Sequence, residues 1–183
     1  LDLYPDVRIE LVLTNEELDL AMREADIAIR MRRPAQPDLI QRRLFTVHYH
    51  AFASQDYVKR FGEPKSIADL DNHRLVSFGG NEPSYLLATH WLSTVGREGQ
   101  ERRTIHFTVN NITALQQAID TGAGIGILPD YAAEGQAGLV QVMRETEMPH
   151  MESYLVYAEE MRSVARVQAF RDFLVAKAQR WTY

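Results

Sequence analysis

Asn110, Asn111 and Thr113 open the stretch "VNNITALQQAIDTGAGIGILPDY" (109–131), where a strand-like run gives way to a helical pattern. A helix start leaves several backbone N–H groups without acceptors and carries partial positive charge, so it holds carboxylates and other anions. An asparagine there can also simply cap the helix, which contributes about 0.5–2 kcal/mol. Capping and ligand contact are compatible. Gly122, Gly124 and Gly126 follow the helix and permit a tight left-handed exit and close backbone approach. Thr14 presents the same choice at an earlier helix start: a cap, or a hydroxyl facing a cleft. Arg30 ends a strand-like run, where ligands of open α/β sheets collect, or it is an ordinary surface arginine.

Other candidate chemistry is weaker. His48 and His50 share one strand face, an acceptable geometry for metal ligands, but zinc needs three or four ligands and no third stands out nearby. They read as an ordinary histidine pair, and neither metal nor cofactor is expected. "GAGIG" (122–126) lacks the GxGxxG register and precedes a strand, where a dinucleotide loop would precede a helix. There is no HExxH and no nucleophile elbow around a serine. The acid pairs Glu16–Glu17, Asp69 with Asp71, and Glu159–Glu160 read as helix starts or solvated faces. With no convincing catalytic set, the expectation is a binding protein and not an enzyme.

The bulk of the chain agrees. Of 183 residues, 45% are apolar and 25% charged, which supplies a real core and argues against disorder. A net charge of −5 is not that of a nucleic-acid-binding domain, and the doublets Arg32–Arg33, Arg42–Arg43 and Arg102–Arg103 read as dispersed, solvated surface. The absence of cysteine excludes disulfide and thiolate chemistry. No apolar run approaches the ~20 residues of a membrane-spanning helix.

Elements must position these residues. "VRIELVL" (7–13) alternates and predicts a half-buried strand. "TNEELDLAMREA" (14–25) predicts a helix, with Thr14 and Glu17 at capping-box spacing. "DIAIRM" (26–31) reads as a buried strand, consistent with a strand–helix–strand unit and parallel pairing. Residues 39–54 read as two strands, or one long strand with a bend. Short helices follow at 55–62, ending on Gly62, and around Ser66–Asp69. "RLVSF" predicts a strand, and 79–100 is a variable surface or lid. Strands at 103–109 and 124–128 flank the helix that opens at Asn111. Pro129 begins a short helix, "LVQVM" and "MESYLVYAE" are strands, and 162–180 is an amphipathic helix. The alternation of strands and helices indicates an α/β fold.

Four stretches in this order, "YPDVRIELVL…LDLAMREADIAIRM", "YHAFASQDYVKRFGEPKSIADLDNHRLV", "NNITALQQAIDTGAGIGILPDY" and "LVYAEEMRSVARVQAFRDFL", resemble the effector-binding domain of LysR-type transcriptional regulators. The resemblance runs through the whole chain except about 79–100. It implies a type 2 periplasmic-binding-protein-like fold with two Rossmann-like lobes: lobe I from residues 1–52 plus 157–183, lobe II from 53–156. It implies a cytoplasmic sensor that binds a small, anionic or polar effector in an interlobe cleft lined by Thr14, Asn15, Arg30, Ser77, Phe78, Asn110, Asn111 and Ile112. The family's winged helix-turn-helix, and the first strand and helix of its effector lobe, are absent from this chain. DNA contact is then expected only through that N-terminal domain, and self-association through the 15–25 helix. The alternative reading is the solute-binding protein of a transporter.

Overall fold

Leu39–Ser54 forms a single 16-residue strand, β2, which settles the choice between one strand and two. The computed structural model describes residues 3–14, 16–79 and 87–181. The other strands are β1 (Ala28–Arg30), β3 (Val76–Phe78), β4 (Phe107–Val109), β5 (Gly126–Pro129), β6 (Leu139–Val142) and β7 (His150–Ala158). The helices are α1 (Gln55–Phe61), α2 (Leu87–Thr94), α3 (Ile112–Asp120), α4 (Asp130–Ala133) and α5 (Ala165–Ala178). The chain divides into unit one, residues 1–46 and 152–182, and unit two, residues 47–151. The expected boundaries at 52/53 and 156/157 lie a few residues later than these. Because β2 and β7 run unbroken through them, the division is set by which strands each half pairs with.

In unit one, β1 pairs antiparallel with β7, Ala28 opposite Val156 and Arg30 opposite Tyr154, and β7 lies beside β2. The expected parallel pairing of 26–31 is therefore corrected: its neighbour returns from the far end of the chain, not through a local crossover. Leu20, Leu39, Leu155, Val156, Met161 and Val167 form the core. The terminal helix seats Val167, Val175 and Ala178 as its buried face.

Residues 7–25 differ most from expectation. Residues 7–13 are not a strand, because alternation commits a segment only when a partner strand supplies the ladder. None pairs with them among the described residues, and Leu11 and Leu13 are 77% and 79% exposed. Residues 16–25 form turns and not a helix. The Asp19 carboxylate accepts from the backbone N–H groups of Ala21 and Met22, 2.8 and 3.2 Å away, offering the backbone a local alternative to helical bonding. Arg23 then takes a left-handed φ of 61°.

In unit two, the second half of β2 pairs antiparallel with β5, His50 opposite Leu128, and with β6, Ala53 opposite Val140. β3 and β4 pair in parallel, and a parallel bridge from Leu75 to Ile125 ties β3 to β5. The predicted strand over 103–109 shortens to Phe107–Val109. Local signals hold where their bonds are local. The Ser54 hydroxyl caps α1 by accepting from the Tyr57 N–H, and Gly62 ends it at φ 83°. Asp69 receives the N–H groups of Lys65 and Ser66, both at 2.9 Å, ahead of the 3-10 helix Ala68–Asn72. Pro129 sits just before α4 and not at its first helical position.

Acid stability follows from these carboxylates. Backbone N–H groups hold the Asp69 carboxyl below the usual aspartate range, and the Arg97 and Arg103 guanidinium groups do the same for Asp71. A depressed folded pKa gives stability that is present above the unfolded value, about 3.9 for aspartate, and lost as pH falls through the folded one. Thermal melts from pH 7 to pH 2.5 should therefore show stability falling below about pH 4. Asp71→Asn should flatten that fall while lowering the melting temperature at pH 7. An unchanged slope in the variant would contradict the assignment.

Candidate functional site

The parallel ladder of unit two brings five of the predicted site residues together. β3 and β4 align Ser77 with Thr108 and Phe78 with Val109, so both strands end at one edge. The Gly79 N–H donates to the Val109 carbonyl at 3.0 Å, extending the ladder by one bond. A Cβ at Gly79 would lie 3.0 Å from Thr108 Cβ, so glycine allows the strands to stay close there. Immediately after β4 the chain turns through Asn110 and Asn111 into α3.

Asn111 is the N-cap of α3: its backbone is extended (φ −138°, ψ 129°) and its Oδ1 accepts from the Ala114 N–H at 3.0 Å. Helix geometry leaves the N–H groups of Ile112 and Thr113 without intrahelical acceptors. Asn110 and Asn111 are exposed and Ile112 is half-buried. Phe78, Val109 and Ile112 pack on the core of Val76, Leu115, Ile119 and Leu128, which fixes the helix start beside the two strand ends. Ser77 is 6% exposed, and its hydroxyl donates to the Phe78 carbonyl at 3.0 Å. The arrangement offers an anion or hydrogen-bond acceptor the positive end of a helix, exposed amides and an apolar wall at Phe78.

The other predicted residues lie in unit one. Thr14 is exposed, and its hydroxyl accepts from the Glu16 N–H at 3.0 Å, a turn and not a helix cap. The idea of a second helix start there is thereby corrected. Asn15 lies outside the described residues. Arg30 is 8% exposed and donates to the Leu18 carbonyl at 2.9 Å, with Glu17 3.8 Å away. Glu17 is itself gripped at both oxygens by Arg32, at 2.7 and 2.9 Å. Arg30 thus steadies the backbone at 17–18 and is not the surface arginine of the simpler reading.

The histidine pair divides. His50 Nδ1 meets Asp130 Oδ1 at 2.6 Å, while the His48 ring lies 6.1 Å from that of His150. No group of three His, Cys, Asp or Glu side chains among the described residues is disposed to hold a metal. Asp130 was missed as a partner because it stands 80 positions from His50. Arg103 was misread as solvated surface. It is 9% exposed and donates to Asp71 at 2.5 Å and to the carbonyls of Val95 and Ile67 at 2.6 and 3.2 Å.

Two α/β units, one ending parallel strands at a helix start, define a mixed α/β protein of periplasmic-binding-protein-like fold. The LysR substrate binding domain model matches residues 1–179, and the chain belongs to that family. It is similar to the solved regulatory domain of CrgA, a LysR-type transcriptional regulator from Neisseria meningitidis, with 26% identity, a TM-score of 0.82 and coverage of 97% of this chain and 87% of that one. The effector domain of AmpR from Pseudomonas aeruginosa shares the fold at 19% identity and a TM-score of 0.71, covering 97% of this chain and 84% of that one. An HTH-type transcriptional regulator of Xanthomonas campestris pv. campestris is 30% identical over 178 residues, 95% of this chain and 52% of the relative. CrgA of Neisseria meningitidis is 27% identical over 177 residues, 94% and 58%. The chain therefore spans about half the length of the curated relatives it matches. These likenesses support a regulatory-domain reading over the solute-binding protein of a transporter.

Proposed function

We propose that the chain is the effector-sensing domain of a LysR-type transcription regulator and that it takes a small anionic or polar molecule. The observation that carries the site is the start of α3 at Asn111, exposed beside the ends of β3 and β4. Ser77, Phe78, Asn110, Asn111 and Ile112 are the proposed contacts of unit two. Thr14, Asn15 and Arg30 are the proposed contributions of unit one. In the whole regulator, DNA is bound through an N-terminal domain, the domains self-associate, and the protein works in the cytoplasm. The net charge of −5 fits a chain that does not itself hold DNA. No helix among the described residues is long and apolar enough to cross a membrane.

The test is a thermal-shift screen of small carboxylates and polar neutral molecules, followed by calorimetry and amide-resolved NMR on each hit. A hit should move the resonances of 77–79 and 110–113. Asn111→Ala should lower stability by about 1 kcal/mol through loss of the cap and weaken the hit roughly tenfold, since the loosened first turn no longer presents its N–H groups. A hit that binds Asn111→Ala as tightly as the parent, or that is cationic, would defeat the reading.

A further inference from the structure

We propose that unit one carries a second small-molecule site, one that takes a small carboxylate bearing its own hydrogen-bond donor, the chemistry of hydroxy and amino acids. The site is an open pocket of about 440 Å³ between the first half of β2, the end of β7, the 3-10 helix Glu159–Ser163 and α5. That volume falls within the range of small-molecule sites, roughly 300–1,000 Å³. Three of its lining residues are cations, Arg42, Arg162 and Arg171, in a chain whose net charge is −5. Arg171 is already committed: its Nε donates to Asp172 at 2.8 Å. The guanidinium group of Arg162 makes no ion pair or hydrogen bond with any described residue, and that of Arg42 makes none either but lies in the field of the Asp172 carboxylate. Two planar forks lining one pocket suit a carboxylate, which each can grip through two hydrogen bonds.

The remaining polar lining defines the rest of the ligand. Glu159, also lining the pocket, carries an exposed carboxylate that accepts hydrogen bonds and disfavours a purely anionic occupant. A hydroxyl or ammonium group on the ligand satisfies it. Strand alternation explains why the sequence hides this site. Of the doublet read as solvated surface, Arg43 pairs with Glu152, while Arg42, its neighbour on the opposite face, lines the pocket.

The site lies wholly within unit one, and its test separates it from the proposed effector site. Amide NMR of the full chain is titrated with L-malate, L-aspartate and succinate, which share one four-carbon dicarboxylate skeleton and differ in the donor. Malate or aspartate should shift residues 40–42 and 159–162 and leave 77–79 and 110–113 in place, and whichever binds tighter identifies the donor as hydroxyl or ammonium. Succinate should bind at least fivefold more weakly. Arg42→Gln and Arg162→Gln, exposed side chains whose loss should leave the melting temperature unchanged, should each weaken binding about tenfold. The proposal is overturned by no saturable shift at ~20 mM, by equal binding of succinate, by shifts confined to unit two, or by unchanged affinity in both variants.

Discussion

Gly124→Ala should cost about 3 kcal/mol, at the upper end of overpacking penalties, and lower the melting temperature by roughly 10 °C. A Cβ at this position would lie 2.5 Å from the Arg74 carbonyl oxygen and 2.9 Å from its carbon. Those atoms are backbone and cannot rotate away. They also belong to the contact that joins β3 to β5: the Ile125 N–H donates to the Arg74 carbonyl at 2.8 Å, and the Val76 N–H to the Ile125 carbonyl at 2.9 Å. Relief requires prying those strands apart. Leu75 and Ile125 anchor one core cluster, Val76 and Leu128 another, so the strain would reach both. Gly126 offers a contrast. Its Cβ would meet side-chain atoms alone, Ile119 Cδ1 at 2.5 Å and Ile119 Cγ1 and Val76 Cγ2 at 2.9 Å, so Gly126→Ala should cost less. Circular-dichroism melts of the two variants decide the matter: a Gly124→Ala shift below about 2 °C would show that the strand contact yields easily.

Arg103→Met should be comparably damaging, about 3–4 kcal/mol, because it empties a buried side-chain position that bonds Asp71 and two partly buried carbonyls. The guanidinium joins three segments of unit two: Asp71 of the 3-10 helix, the Ile67 carbonyl just before it, and the Val95 carbonyl beyond the end of α2. Its own N–H donates to the Ser93 carbonyl at 2.9 Å. Methionine matches the stem but takes the guanidinium donor from the Val95 carbonyl and leaves the Ile67 carbonyl with only the Leu70 N–H, 3.3 Å away. Lysine keeps the charge without the planar fork, so Arg103→Lys should recover only part of the loss. Arg97 also meets Asp71, at 2.6 Å, but Asp71 is 43% exposed and no buried acceptor depends on Arg97. Arg97→Ala should therefore cost under about 1 kcal/mol. Urea denaturation of the three variants is the check, and equal midpoints for Arg103→Met and Arg97→Ala would remove Arg103 from its central position.

The sequence by itself determined the parts whose physics is local. Ser54 and Gly62 bound α1, Asn111 caps α3, and the apolar spacing of 164–178 makes α5, because capping and helical periodicity act over about four residues. The β-rich run 39–54 is extended on its own composition, though only the fold makes it one strand, and the ordered motifs suffice for the family. In the candidate site, Ser77–Phe78 and Asn110–Ile112 were legible as a strand end and a helix start, and the parallel β3–β4 ladder places them side by side. Tertiary structure alone decided the rest. Residues 7–13 carry a strand pattern yet remain unpaired among the described residues, since a pattern fixes which face is buried and not whether a partner exists. β1 pairs antiparallel because β7 reaches it from the far end of the chain. Arg103 is buried, His50 finds Asp130, and Arg42 parts from Arg43, each through a partner 32 to 109 positions away or on another face of the sheet. Polar side chains carry no mark of such partners in their own neighbourhood. Burial and pairing are set by which distant segments the core brings together.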